Sequence, residues 1–144
     1  MSEHRIERGR GASLRADARA VREAVFVEEQ GVDPELEYDD HDATALHFVG
    51  YAGEDPVAAA RLRTADDGVG KVERVAVRES RRGRGWGRRL MVAVHDAARD
   101  EGYERLRLHA QTHVRGFYEA LGYEAVSDTF TEAGIPHVAM VRRL

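Results

Sequence analysis

The stretch RRGRGWGRRL, residues 81–90, combines three glycines with five arginines and is the strongest chemical signal in the chain. The residues before it, Val75-Ala76-Val77, predict a strand, and the apolar residues after it predict a helix. At the N-terminus of a helix the first backbone N–H groups are unpaired and carry partial positive charge. Glycines let an anion approach those groups, and arginines can bind its outer oxygens. The stretch therefore predicts a phosphate-binding loop.

Two common nucleotide-binding motifs do not fit this loop. A P-loop requires lysine and then serine or threonine after its last glycine, whereas Gly87 is followed by Arg88. A dinucleotide-binding fingerprint would require a glycine where Arg88 stands. A glycine-rich turn surrounded by solvated arginines is the alternative interpretation of the same residues.

Other segments extend the pattern along the chain. The spacing Arg82-x-x-Gly85-x-Gly87 resembles the pyrophosphate loop of the GNAT superfamily of N-acetyltransferases. The segment HAQTHVRGFYEALGYEAV, residues 109–126, resembles a later part of the same superfamily. The segments LRADARAVREAVFVEEQG, EYDDHDATALHFVG and EAGIPHVAMVR look like its ElaA-like branch. The resemblance covers about residues 14–142, with the motifs in order.

This resemblance implies that the loop holds the pyrophosphate of acetyl-CoA as co-substrate. It also implies that the central sheet splits after its fourth strand and that pantetheine enters the gap, where it pairs with strand backbone. Gln111 is expected to bind the pantetheine arm. The predicted cofactor-binding residues are Val75, Ala76, Val77, Arg82, Gly83, Arg84, Gly85, Trp86, Gly87, Arg88 and Gln111.

Acetyl transfer to an amine needs a base for the amine proton and an acid for the leaving thiolate. By resemblance, Tyr118 is the predicted general acid; its alternative role is core packing beside Phe117. Glu73 lies four residues before Val77, so strand alternation predicts that it shares a face with Val75 and Val77. It is the candidate base, and the alternative is a strand-end glutamate paired with an arginine. Further possibilities for the base are His41, His47, His109 and His137.

The acceptor is predicted from charge. Residues 23–60 contain many acidic residues and no lysine or arginine, so this block is expected to attract a small cationic amine or a peptide N-terminus. No metal site is expected, because acidic loops are usually only solvated. The candidate acceptor-binding residues are Glu29, Asp40, His41, His47 and His109.

The elements that position these residues follow from hydrophobic periodicity. The order is strand, helix, two or three strands, helix, strand, helix and two strands, within a single domain of residues 1–144. This order predicts a mixed α/β fold with a twisted central sheet of six to seven strands flanked by helices. The GNAT resemblance adds the splay after the fourth strand.

Composition excludes several other classes. The absence of cysteine excludes a disulfide framework and a thiolate site, so the cytoplasm is the default location. No run approaches the ~18 apolar residues of a membrane helix. A net charge of −4 argues against nucleic-acid binding through the arginines, and few aromatic residues are interleaved with them.

Two functions therefore remain in competition. The first is an acetyl-CoA-dependent N-acetyltransferase in which a primary amine attacks the thioester directly. The alternative is a non-catalytic acyl-CoA-binding module. Edge strands near the C-terminus allow a homodimer, which the sequence does not require.

Overall fold

The computed structural model describes residues 3–144, in which an open, mostly antiparallel sheet of eight strands carries helices on its faces. The strands are β1 (His4–Gly9), β2 (Leu46–Ala52), β3 (Asp55–Asp66), β4 (Val69–Val77), β5 (Arg105–Gln111), β6 (Glu124–Ala125), β7 (Phe130–Glu132) and β8 (Ile135–Arg143). The α-helices are α1 (Ala12–Arg22), α2 (Pro34–Glu37), α3 (Trp86–Asp100) and α4 (Arg115–Ala120). A π-helix, Glu23–Glu29, extends α1, and 3₁₀ turns occupy Asp40–Ala43, Glu79–Arg81 and Thr112–Val114.

The sheet has one strand more than the predicted maximum of seven. The sequence predicts two strands after the last helix, but the first of them divides into the short strands β6 and β7. The side chain of Ser127 lies between them and accepts a hydrogen bond from the backbone N–H of Ala139 at 2.9 Å. A side chain that bonds the neighbouring backbone in this way interrupts the regular ladder.

The strand order is β1-β2-β3-β4-β5-β8-β6, with β7 also paired to β8. Only β4 and β5 run parallel, and their pairing ends at the partners Val72 and Leu108. Beyond that point β5 continues to pair with β8, whereas the end of β4 pairs only with β3. The predicted separation after the fourth strand is confirmed.

A β-bulge explains how β4 turns away. Ala59 faces Ala76 and Arg61 faces Glu73, so β4 contains one extra residue between these two pairs. Arg74 lies at this point with φ of 56°, a left-handed backbone conformation that residues other than glycine rarely adopt. Such a bulge bends its strand and increases the local twist.

Two hydrophobic layers hold the helices against the sheet. On one face, the side chains of α3 pack on β5 and on alternate residues of β2 and β3. On the other face, α1 and the π-helix pack on the intervening residues of β2, β3 and β4. The glycine loop and the π-helix lie at the same end of the sheet, where Arg82 contacts Glu29. No helix in residues 3–144 has the length and apolar character needed to cross a membrane.

The close contact between Gly50 and Trp86 fixes the first turn of α3 against β2. A Cβ atom on Gly50 would lie 2.9 Å from Cζ3 of Trp86 and 3.1 Å from Cβ of Ala58. We expect Gly50→Ala to lower the free energy of unfolding by about 1–3 kcal/mol through overpacking, as measured by urea denaturation. Gly116→Ala is the control, because a Cβ in α4 meets nothing within 4 Å. Equal stability of the two variants would contradict this packing.

Candidate active site

A cavity of about 990 Å³ opens where β4 and β5 separate. The glycine loop and α4 line one side of it, and the π-helix, the segment 32–41 and the hairpin of β7 and β8 line the other. All the predicted cofactor residues except Arg84 line this cavity. Arg81 also lines it, although the sequence did not single it out.

The glycine loop presents free backbone N–H groups to the cavity. Gly83 and Gly85 have φ of 75° and 82°, and Gly85 is the N-cap of α3. No side chain caps this helix, so its first N–H groups are available to an anion. Trp86 is only 2% exposed and packs in the core, so its backbone and not its ring is suited to face a ligand.

The side chain of Arg82 is directed toward the π-helix. Its Nη1 and Nη2 donate to the two carboxylate oxygens of Glu29, each at 2.6 Å, and its Nε donates to the carbonyl oxygen of Val77 at 3.0 Å. The hydrogen bond from Arg82 lowers the pKa of Glu29 below its usual value. Arg82 and Glu29 thus neutralise each other and link the end of β4 to the π-helix across the mouth of the cavity.

The separated strands provide an unpaired edge beside this loop. The end of β4, residues 73–77, has no strand on the side of β5, so its backbone groups there can pair with an inserted extended ligand. Gln111, at the end of β5, exchanges side-chain hydrogen bonds of 2.9 and 3.1 Å with Gln30. Its predicted contact with pantetheine stays a prediction, and the bond with Gln30 joins two residues that both line the cavity.

Tyr118 packs in the core and also lines the cavity. It is 6% exposed and packs edge-on against Phe117 and Tyr123, with ring centroids 5.0 and 5.7 Å apart. It also lines the cavity, and no residue in 3–144 hydrogen-bonds its hydroxyl. Burial raises the pKa of Tyr118, so its phenol is protonated at neutral pH and can donate a proton.

The surroundings of Glu73 differ from those expected. Glu73 and Arg74 both face the α1 side, where Arg74 contacts Glu37. Val75 and Val77 pack on the opposite, α3 side. The prediction that Glu73 shares a face with Val75 and Val77 is wrong, because the bulge shifts the alternation by one residue.

The carboxylate of Glu73 is held by three cations. Arg61, Arg63 and Lys71 approach it to 3.0, 2.6 and 3.4 Å. Burial raises its pKa, but the hydrogen bond from Arg63 and the charges of Arg61 and Lys71 outweigh this effect and lower the pKa of Glu73 to about 2. Its role as base stays a prediction, although a carboxylate with so low a pKa accepts protons weakly at neutral pH.

Three carboxylates of the acidic segment after the π-helix form ion pairs with arginines of other elements. Arg22 and Arg61 are 1% and 0% exposed and reach into this segment from α1 and β3. Together with Arg74 they bind the carboxylates of Glu37, Asp39 and Asp42. Three of the acidic residues on which a cationic acceptor was predicted are therefore already paired, and Glu29 is paired with Arg82.

The candidate acceptor residues are only partly brought together. Glu29, His41 and His109 line the cavity. Asp40 is exposed outside it, and the prediction for His47 is not supported by its position. His47 is 1% exposed, and its Nε2 bonds the carbonyl oxygen of Asp42 at 2.9 Å. Burial lowers the pKa of His47, so it is a neutral core residue.

Glu132 and His137 complete a cluster around His109. Nδ1 of His109 donates to Oε1 of Glu132 at 2.9 Å, and Nε2 of His137 lies 3.7 Å from Oε2 of the same carboxylate. Glu132 was missed, because only the folding of β7 onto β8 brings it to β5. The alternation of β5 does place His109 and Gln111 on one face, and His137 is the partner of Gln111 in β8.

Known proteins share this architecture. The acetyltransferase (GNAT) domain family matches residues 14–144. Bacillus subtilis YjcF, described as an uncharacterized N-acetyltransferase, is 45% identical over 127 residues, which cover 88% of this chain and 90% of YjcF. The crystal structure of Escherichia coli ElaA aligns over 99% of this chain and 100% of its own, with 30% identity and a TM-score of 0.86. An acyl-CoA N-acyltransferase from Pseudomonas aeruginosa aligns over 99% of both chains, with 27% identity and a TM-score of 0.84.

Proposed function

Because this chain belongs to the GNAT acetyltransferase family and resembles its ElaA-like members, we propose that it transfers an acetyl group from acetyl-CoA to a primary amine. One observation carries this proposal: the unpaired edge of β4 lies beside the uncapped N-terminus of α3 in the same cavity. That combination suits a ligand with an extended amide-containing arm and a pyrophosphate.

The residues present fit coenzyme A. The N–H groups that follow Gly83 and Gly85 would hold the pyrophosphate, and the cavity-lining Arg81 and Arg88 supply positive charge beside them. The backbone of Val75 and Val77 would pair with the pantetheine arm. The thioester supplies an activated acetyl group, which these contacts would present at the end of β4.

The reaction forms a nitrogen–carbon bond and breaks a carbon–sulfur bond. A backbone N–H near Val77 is suited to stabilise the charge that develops on the carbonyl oxygen. Tyr118 is the proposed acid that protonates the departing sulfur, since its hydroxyl is protonated, free of partners in residues 3–144 and part of the cavity wall.

The amine must lose a proton, and His109 is the candidate that the geometry favours over Glu73. Because Nδ1 of His109 donates to Glu132, its Nε2 is left as the proton acceptor. His109 lines the cavity, and no cation is paired with it in residues 3–144. Glu73 is in contact with three cations, and its pKa is lowered to about 2, so it is a weak proton acceptor.

Amine-dependent release of the free thiol of coenzyme A tests this function. The purified protein is incubated with acetyl-CoA and a panel of primary amines and peptides, and acetylated products are identified by mass spectrometry. The proposal expects at least one amine to be acetylated with release of one thiol per acetyl group. Tight binding of acetyl-CoA without turnover on any amine would favour a non-catalytic acyl-CoA-binding module instead.

We expect Tyr118→Phe to lower kcat by about 100-fold with little change in KM, because it removes the proposed proton donor and keeps the ring. Tyr123→Phe is the matched control. The hydroxyl of Tyr123 bonds Nε2 of His95 at 2.8 Å, and Tyr123 does not line the cavity. Steady-state kinetics with an accepted amine distinguish the two variants. Equal kcat values for them would show that Tyr118 is only a packing residue.

A further inference from the structure

Three basic side chains form a row across three neighbouring strands, in the part of the sheet where β4 and β5 are still paired. Arg63 of β3 is the partner of Lys71 in β4, and Lys71 is the partner of Arg107 in β5. Partners in register project from the same face of a sheet, so these side chains lie side by side. Like charges placed opposite each other destabilise a sheet unless an anion compensates them.

The compensation inside the protein is incomplete. The buried ion-pair network connects five cations to four carboxylates and so keeps one positive charge. Its cations are Arg22, Arg61, Arg63, Lys71 and Arg74, and its carboxylates are Glu37, Asp39, Asp42 and Glu73.

The excess charge lies at the row. Arg63 and Lys71 share the single carboxylate of Glu73 with Arg61, and within residues 3–144 Arg107 has no ion pair at all. Both Arg63 and Lys71 line the cavity, with 24% and 15% of their side chains exposed. Arg63 and Lys71 are thus accessible from the space that the acceptor would occupy, and Arg107 is their exposed neighbour on β5.

Lys71 is also the only lysine among the 22 basic residues of the chain. A lysine ammonium is a compact point charge with three donors that can turn toward a ligand, unlike the planar guanidinium. Its one ion-pair contact, with Glu73, is 3.4 Å long, so donors remain free for a second anion.

We infer that the acceptor of this enzyme carries an anionic group, most simply a carboxylate, in addition to its amine, and that Arg63, Lys71 and Arg107 bind this group. The inference depends on the proposed acetyl transfer and specifies its substrate class. It replaces the purely cationic acceptor that the acidic segment had suggested.

The distance along β4 adds a constraint on that acceptor. Lys71 lies before the strands separate, whereas Val75 lies four residues further on, beyond the bulge. At about 3.3 Å per residue, roughly 13 Å of strand separate the backbone positions of Lys71 and Val75, and the long lysine side chain can span part of this distance. An acceptor whose amine lies several bonds from its carboxylate, such as an ω-amino acid, fits this separation better than an α-amino acid.

Three probes of similar length test the inference by calorimetric titration into the protein saturated with coenzyme A. They share a terminal ammonium and end in a carboxylate (5-aminopentanoate), a methyl group (pentylamine) or a second ammonium (1,5-diaminopentane). We expect the carboxylate probe to bind about tenfold more tightly than pentylamine, which corresponds to one charge-assisted hydrogen bond. The diamine should bind most weakly.

Substitutions in the basic row test whether these residues cause the preference for the carboxylate probe. Lys71→Met and Arg107→Met should remove the preference for the carboxylate probe; the exposed Arg107 keeps the test valid if the first variant folds poorly. Arg99→Met is the control, because it also removes one positive charge. Arg99 is exposed on α3, on the face of the sheet opposite the row. Equal binding of the three probes, tighter binding of the diamine, or no binding of any probe would overturn the inference. Failure of coenzyme A itself to bind would instead contradict the proposed function.

Discussion

Replacing Gly85 with glutamate should weaken the binding of acetyl-CoA by more than about 100-fold, because it removes one or two charge-assisted hydrogen bonds and adds a repulsive charge. Gly85 is the N-cap of α3, and a side chain there would enter the space in front of the free N–H groups. Its Cβ would also lie 3.7 Å from the guanidinium of Arg89, so the new carboxylate could attract a cation away from the ligand. Calorimetric titration of the variant measures this loss.

The same helix offers a matched control for this substitution. Gly102 follows the other end of α3 and has φ of 83°, almost equal to the 82° of Gly85. A Cβ on Gly102 meets nothing within 4 Å, and Gly102 does not line the cavity. Gly102→Glu therefore imposes a similar backbone strain, but its side chain does not approach the bound ligand. If both variants bound acetyl-CoA equally well, the glycine loop would be a simple turn.

Arg61→Met should lower the free energy of unfolding by about 4 kcal/mol, because it leaves buried carboxylates without the cation that they share. Arg61 is fully buried and donates to Asp39, Asp42 and Glu73 at distances between 2.7 and 3.2 Å. In a chain of this size the loss corresponds to a fall in Tm of roughly 10 °C. Urea and thermal denaturation measure both quantities.

A surface ion pair provides the comparison. Arg8 and Asp100 lie 2.8 Å apart with side chains that are 44% and 68% exposed. Arg8→Met should change the free energy of unfolding by less than about 1 kcal/mol, because water screens exposed pairs. If Arg61→Met were equally mild, the buried network would not hold the acidic segment in place.

The local part of the site could be predicted from the sequence. The glycine spacing around Gly85, the strand before it and the amphipathic helix after it depend only on neighbouring residues, and the structure places them as expected. The sequence resemblance to the GNAT superfamily and to its ElaA-like branch is confirmed by the family match and the aligned structures. The separation of β4 from β5 also followed from that resemblance and is present.

The remainder depends on contacts between distant residues. The bulge at Arg74 reverses the side on which Glu73 points, and no local pattern announces it. The acidic segment looked solvated, but Arg22 and Arg61 reach it from other elements and bind three of its carboxylates, those of Glu37, Asp39 and Asp42. Charge counted along the chain therefore shows neither which carboxylates are already paired nor the row of Arg63, Lys71 and Arg107 that strand register brings together.

Calorimetric titration of the unmodified protein with acetyl-CoA tests the central claim most directly, because the glycine loop and the gap beside β4 are proposed to hold this one molecule. The account predicts saturable binding of one molecule per chain with a Kd between about 1 μM and 1 mM, the range in which enzymes usually bind their substrates. Absence of saturable binding at millimolar acetyl-CoA would contradict the cofactor site, and the proposed acetyl transfer would fall with it.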